Sequence, residues 1–199
     1  MVKNKEETKL KILEAVESII LRDGFAYLGI NFIAKEAAVD KVLIYRYFTN
    51  LNGLLKEFIR RKDYFANTNN IVAVIENADK TELIVIIKSI LIEQLKFLLN
   101  NKVLQEILIW ELSNKNEVTD FIANEREKAG VLNLNAIAVK FNKNINIEGI
   151  SSIIVGGIYY LVLRSKTVSV FNGVDINTEK GWLKIQDAIN IMVDILFLD

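Results

Sequence analysis

Apolar residues recur at three- and four-residue intervals almost from end to end of this chain, and polar breaks divide them into helical segments. Between about Lys5 and Arg22, Ile12, Val16, Ile19 and Ile20 form one apolar face, and Gly24 suits the left-handed residue that ends a helix. A second pattern, about Ile30 to Ala37, turns Ile30, Ile33, Ala34 and Ala37 inward. A third runs from Lys41 to Phe48, with Asp40 as its N-cap and Ile44 and Phe48 facing a core. Thr49-Asn50 breaks it. A longer helix follows from Leu51 through Leu54, Leu55, Phe58 and Ile59 to about Phe65. Two short amphipathic helices joined by the break Ala38-Val39-Asp40 have the format of a helix-turn-helix, whose second helix enters the DNA major groove.

Downstream, Asn67 to Asn70 reads as a polar bend, and Asp79-Lys80-Thr81-Glu82 resembles a capping box that starts the next helix. That helix, about Thr81 to Leu99, is apolar nearly all round and belongs in the middle of a domain. Further helices are expected over Val103–Ser113, Glu117–Asn142, Ile147–Lys166 and Thr178–Leu198, about nine in all. The absence of proline and the presence of only 9 glycines among 199 residues support an all-α chain, since strand-and-turn folds need those residues as punctuation.

Composition narrows the chemistry. Without cysteine there is no disulfide and no thiolate ligand or nucleophile; without histidine, serine–histidine triads and histidine-containing zinc sites are excluded. Glu93, Glu106 and Glu111 could make a carboxylate cluster, but the lack of histidine removes the Glu-x-x-His motif of helical di-metal sites, and no nucleophile–base pair or phosphate-binding glycine loop stands out. The chain therefore reads as a non-enzyme with no cofactor. Net charge is zero, but residues 1–66 hold 12 Lys/Arg against 9 Asp/Glu and residues 67–199 hold 13 against 16. A basic N-terminal part suits nucleic-acid contact. Met1 to Lys11 lacks the apolar core of a signal peptide. The uncharged run Gly149 to Leu163 is fifteen residues, short of the roughly 20 that span a bilayer. A buried helix, no membrane partner and a cytoplasmic location are expected.

On the third helix, burial of Ile44 and Phe48 leaves Lys41, Val42, Leu43, Tyr45, Arg46 and Tyr47 for other faces. Lysine and arginine neutralise phosphates, arginine forks onto guanine, tyrosine hydroxyls bond phosphates, and Val42 and Leu43 match thymine methyl groups. Residues Ile12 to Leu55 resemble the DNA-binding domain of the TetR/AcrR family of transcriptional regulators. The matching elements are Ile12-Leu13-Glu14-Ala15, Gly24-Phe25, Ile33-Ala34, Val39, and Tyr45-Arg46-Tyr47-Phe48 followed by Leu54-Leu55, at the family's spacing. The chain departs from that pattern at four places. Leu28 and Gly29 stand where threonine is usual. Ala38-Val39-Asp40 replaces glycine-valine-serine, Val42-Leu43 replaces a glycine-threonine pair, and Leu51 replaces a phosphate-touching lysine.

The resemblance implies a helix-turn-helix DNA-binding domain over residues 1–50 and a larger helical effector-binding and dimerisation domain over 51–199. By position in the family pattern, Lys41, Val42, Leu43, Tyr45, Arg46 and Tyr47 face double-stranded operator DNA together with Asn31, while Asn50 and Lys5 or Lys9 are phosphate candidates. Tyr45 is the one expected to be partly structural. The resemblance also implies a homodimer through the last two helices. Trp182, Ile185, Ile189, Met192 and Leu196 repeat at 3-4-3-4 spacing, Leu183, Ile191 and Ile195 add apolar surface, and Ser152, Gly156 and Gly157 permit close approach. The implied small-molecule pocket draws its candidates from polar or aromatic residues in apolar segments: Gln94, Gln105, Trp110, Glu111, Tyr159, Tyr160 and Arg164. The expected function is a ligand-responsive regulator, a repressor by the family's habit. The alternative is a helical ligand-binding or adaptor protein of the same fold without specific DNA binding, which Val42, Leu43 and Leu51 would favour.

Overall fold

The computed structural model describes residues 2–62, 69–140 and 145–197. Among these, ten α-helices and one two-stranded hairpin form two compact units, Met1–Ala66 with Lys102–Arg126, and Asn67–Asn101 with Glu127–Asp199. The expected helices are present, the protein is all-α apart from the hairpin, and three elements were not foreseen.

The first unit contains α1 (Val2–Asp23), a 3-10 turn (Phe25–Tyr27), α2 (Ile30–Glu36), α3 (Lys41–Phe48), α4 (Leu51–Lys62), α7 (Lys102–Ser113) and the start of α8 (Glu117–Lys140). Ile12, Val16, Ile19 and Ile20 of α1 meet Ile33 and Ala34 of α2 and Ile44 and Phe48 of α3 in one buried cluster. That core does not stop at residue 50. Leu54, Leu55, Phe58 and Ile59 of α4, Val103 and Ile107 of α7, and Val118 and Ile122 of α8 complete it. The helix-turn-helix is thus braced by later segments of the chain, which add apolar surface to a core that α1 to α4 alone would leave marginal.

The turn between α2 and α3 places Ala38 at φ 52°, in the left-handed region. A side chain there costs about 1–2 kcal/mol. Ala38→Gly is therefore expected to raise stability by about 1 kcal/mol and the melting temperature by about 2–4 °C. A thermal melt of the two proteins checks this, and a lower melting temperature for the glycine variant would contradict it.

Charged side chains tie the helices of this unit together at the surface. Arg22 donates from Nη1 and Nη2 to Glu36 at 3.0 and 3.1 Å, joining the end of α1 to α2. Lys56 and Asn52 of α4 donate to Glu117 of α8 at 2.5 and 3.0 Å, and the Lys56 and Arg60 cations lie 5.0 and 4.9 Å from the Phe121 ring. The Arg22 hydrogen bonds hold the Glu36 carboxyl below its usual range; those from Lys56, then Asn52, do the same for Glu117. A carboxyl depressed by folding adds stability that is complete above the unfolded-state value of about 4.3 and lost as pH falls through the lower folded-state value. The melting temperature should be flat from neutrality to about pH 5 and decline in more acid solution, gently because both groups are exposed. Melts of the wild type and of Glu36→Gln/Glu117→Gln test it, the variant showing the smaller difference between neutral and acid pH.

The second unit contains α5 (Asn69–Asn77), α6 (Lys80–Asn100), the remainder of α8, α9 (Ile147–Arg164), β1 (Val170–Phe171), β2 (Val174–Asp175) and α10 (Glu179–Phe197). α6 packs against both α9 and α10, the central place its all-round apolarity predicts. Its start is the expected capping box: Asp79 accepts from the Glu82 N–H at 2.9 Å while the Glu82 carboxylate accepts from the Asp79 N–H at 2.9 Å. α5 was not foreseen. Its Ile75 and the following Ala78 join Leu83 and Ile87 of α6, Ile137 of α8, and Val193 and Phe197 of α10 in the core. Lys140 donates to the Glu76 carbonyl at 2.5 Å, satisfying an otherwise open end of α5. The hairpin was also missed; Asn172 and Gly173 (φ 45° and 80°) form its two-residue turn.

α9 buries Ile154, Ile158 and Val162 but exposes Ile153, Gly156 and Tyr160. The uncharged run expected to be a buried helix is thus buried on one side. By length and composition alone this helix could cross a membrane; in the fold it packs against α6.

Candidate nucleic-acid interface

Two caps and two turns set the direction of α3. Asp40 Oδ1 accepts from the Val42 N–H at 2.8 Å, so the helix starts at Lys41. Val39 donates to the Ala34 carbonyl at 3.0 Å and packs on the core, holding α3 across α2. At the other end Thr49 has φ 70° and ψ −50°, and Asn50 donates its N–H to the Phe48 carbonyl at 2.8 Å. This is a γ-turn, a strained conformation that reverses the chain between α3 and α4. Asn50 Oδ1 then accepts from the Gly53 N–H at 2.8 Å and starts α4. A residue expected to touch phosphate is therefore engaged as a helix cap through its oxygen, with its NH2 group left to donate elsewhere.

With Ile44 and Phe48 buried, α3 exposes Lys41, Val42, Tyr45 and Arg46, and half-buries Leu43 and Tyr47. The two tyrosines exchange the roles expected of them. Tyr45 is 51% exposed, whereas Tyr47 packs against the core. Tyr47 lies three residues after Ile44 and shares its flank of the helix; Tyr45 does not. Lys5 of α1 lies 5.9 Å from the Tyr47 ring centre, which brings a cation to the edge of this face. Lys9 is paired with Glu6 at 3.4 Å. Asn31 is exposed at the start of α2.

Residues 12–58 match the family described as bacterial regulatory proteins, tetR family. The match spans the helix-turn-helix and most of α4. No curated protein sequence matches it. Solved structures share its fold along nearly the whole chain. A transcriptional regulator of Aquifex aeolicus VF5 has 19% identity and a TM-score of 0.65, covering 94% of this chain and 98% of its own. The fatty acid degradation regulator FadR of Bacillus halodurans has 18% identity and a TM-score of 0.66, covering 94% of each. FadR of Bacillus subtilis, solved in complex with stearoyl-CoA, has 17% identity and a TM-score of 0.65, covering 92% of this chain and 96% of its own.

Within and beside the matched residues, two departures from the common pattern have a structural consequence. Leu51, where a lysine is common, packs against the core and presents no charge. Gly29 precedes α2 without a side-chain hydrogen bond to its first turn, so those N–H groups lack the usual hydroxyl.

The effector candidates are divided between the two units. Gln94 and Tyr159 do meet: Gln94, 4% exposed, donates to the Tyr159 hydroxyl at 3.2 Å inside the second unit. Trp110 instead stacks on Phe25 with ring centres 4.4 Å apart, and Glu111 accepts from Arg126, both within the first unit. Gln105 is buried in α7 of that unit. Tyr160 and Arg164 are exposed on α9, Tyr160 edge-on to Phe171 of the hairpin at 5.4 Å. No group of three or more metal-binding side chains, including Glu93, Glu106 and Glu111, forms among the described residues.

The apolar residues of α10 divide differently from the sequence expectation. Trp182 and Ile189 are buried inside their own unit, Ile185 and Leu196 are half-buried, and Leu196 packs on the core. Met192 remains exposed, with Leu183, Ile191 and Ile195; on α9, Ser152, Gly156, Ile153 and Tyr160 are exposed. Trp182 and Ile189 therefore offer no surface to a second subunit. The inward face of α10 runs through Trp182, Ile189, Val193 and Phe197, so the 3-4-3-4 stripe is split between the core and the surface.

Proposed function

We propose that this chain is a ligand-responsive transcriptional regulator that binds a pseudo-palindromic operator as a homodimer and represses by occupying it. Residues 1–50 meet DNA, and the helices of 51–199 bind effector and pair the subunits. The observation that carries this reading is the exposed Lys41–Val42–Tyr45–Arg46 face of α3 in a tetR-family domain. Lys41 and Arg46 supply phosphate and guanine donors, Tyr45 presents its hydroxyl, and Asn31 and Lys5 flank them. Two such helices about 34–36 Å apart enter successive major grooves. Fluorescence anisotropy with a labelled duplex from the DNA flanking its own gene tests the proposal. Arg46→Ala should bind roughly 5- to 150-fold more weakly, the range for loss of one specific arginine contact. Equal affinity for the variant would overturn it.

A hydrophobic or amphipathic effector suits the second unit, where Gln94, buried on α6 with Leu95 and Leu98, donates to the Tyr159 hydroxyl of the otherwise apolar α9. Support comes from the fold neighbour solved with stearoyl-CoA, which makes a long-chain acyl compound the first to try. A coupling of about 1–3 kcal/mol between effector and operator would release DNA five- to a hundredfold. The dimer is assigned to the exposed apolar residues of α9 and α10. Ile191→Asp/Ile195→Asp is expected to give a folded monomer by sedimentation analysis, and a dimer at unchanged concentration would move the interface elsewhere.

A second reading is a helical ligand-binding or adaptor protein without specific DNA binding. The apolar Val42 and the core-facing Leu51 favour it. It predicts DNA affinity that is weak and insensitive to substitutions on α3.

A further inference from the structure

Val42 occupies the second position of α3 and is 61% exposed. Its N–H is already held by Asp40 at 2.8 Å, so the group it presents is the isopropyl side chain. The fold gains little from it there, because valine is a mediocre helix former and most of its surface stays in water. Leu43, the other apolar residue at this end, is half-buried. Around Val42 the exposed side chains of α3 are Lys41, Tyr45 and Arg46. The helix contains no carboxamide to fork onto adenine and no carboxylate to accept from cytosine. Its vocabulary is cationic donors, one phenol and one branched methyl pair.

In the major groove one base carries an apolar group, the thymine C5-methyl, beside an O4 acceptor. A side chain offering methyls, next to lysine and arginine donors, fits that edge. We infer that Val42 selects a thymine in each operator half-site by contact with its C5-methyl, so that the A·T pair beneath the N-terminus of α3 is read from its thymine side. The inference rests on the proposed DNA binding and adds which base is chosen and by which residue.

The test uses the full-length protein and a randomised duplex library. After selection, the enriched duplex is synthesised with thymine, and again with deoxyuridine replacing one thymine per half-site at a time. Deoxyuridine keeps O4 and the base pair and lacks only the methyl. At one thymine position the wild type should lose about fourfold per half-site, the value of one buried methyl, and about fifteenfold when both half-sites are changed. Val42→Ala, at an exposed helical site where alanine folds readily, should show that loss already on thymine and no further loss on deoxyuridine. Equal wild-type affinity for the two duplexes at every position, an enriched half-site without thymine, or undiminished methyl discrimination by Val42→Ala would overturn the inference while leaving DNA binding intact. Failure to enrich any sequence would remove both proposals together.

Discussion

Gly53→Ala is expected to destabilise the first unit, although alanine normally stabilises a helix relative to glycine by up to about 1 kcal/mol. A Cβ at residue 53 would lie 2.2 Å from the Phe48 carbonyl oxygen, well inside contact distance. That oxygen is not free to retreat, because it closes the γ-turn by accepting from Asn50 at 2.8 Å. Relief requires moving the C-terminal end of α3 away from α4, which disturbs Phe48 in the core and the aim of Tyr45 and Arg46. The cost should be about 2–4 kcal/mol, a loss on the order of 10 °C in melting temperature. DNA affinity, if α3 acts as proposed, should fall with it. Thermal denaturation reads the sign directly. A variant as stable as the wild type would show that the α3–α4 corner tolerates a methyl group.

Gly181→Ala should be the more damaging substitution in the second unit. A Cβ there would stand 1.7 Å from the Asp175 carbonyl oxygen and 2.6 Å from its carbon. The same oxygen accepts from the Thr178 hydroxyl at 3.0 Å, while Thr178 caps α10 by accepting from the Gly181 N–H at 3.2 Å. The end of the hairpin and the first turn of α10 therefore touch through backbone, with no flexible side chain to yield. Trp182 and Ile176, both buried beside this contact, would have to shift as well. A loss of about 3–5 kcal/mol is expected, among the larger effects of single substitutions. Urea denaturation followed by tryptophan fluorescence measures it, and a midpoint equal to wild type would contradict the contact.

Neither glycine's role was legible in the sequence. A glycine inside a helical pattern reads as a mild defect, and what lies against it depends on a carbonyl brought there by the fold. Local features were legible because they depend on neighbours in sequence: the Asp40 cap, the Asp79–Glu82 capping box, and the apolar faces of α1 and α3. α5 was missed because its core contacts, Ile75 and Ala78, follow an asparagine-rich stretch and give too short a pattern. The hairpin left a usable signal in Asn172-Gly173, but its strands of two residues are too short for alternation to register.

The candidate sites divide along the same line. Lys41, Val42 and Arg46 emerged on the exposed side of α3 because Ile44 and Phe48 fix the phase of a short helix. On α10, two apolar stripes coexist, and periodicity cannot say which one faces its own core. Trp110 stacks on Phe25, a partner so far away in the chain that periodicity does not reveal it. Gln94 and Tyr159 stand out in the sequence as polar residues within apolar helices, and only the fold joins them.

The central claim is that the α3 face binds DNA through charge and base contacts. The most direct measurement is anisotropy of a duplex from the flanking DNA, titrated with wild type and with Lys41→Ala/Arg46→Ala across a salt series. A dimer making six to ten phosphate contacts should lose about 10³–10⁵ in affinity between 50 and 200 mM salt. The double variant should bind more weakly at every salt concentration and with a shallower slope. Affinity that does not change with salt, or a double variant that matches the wild type, would contradict the account.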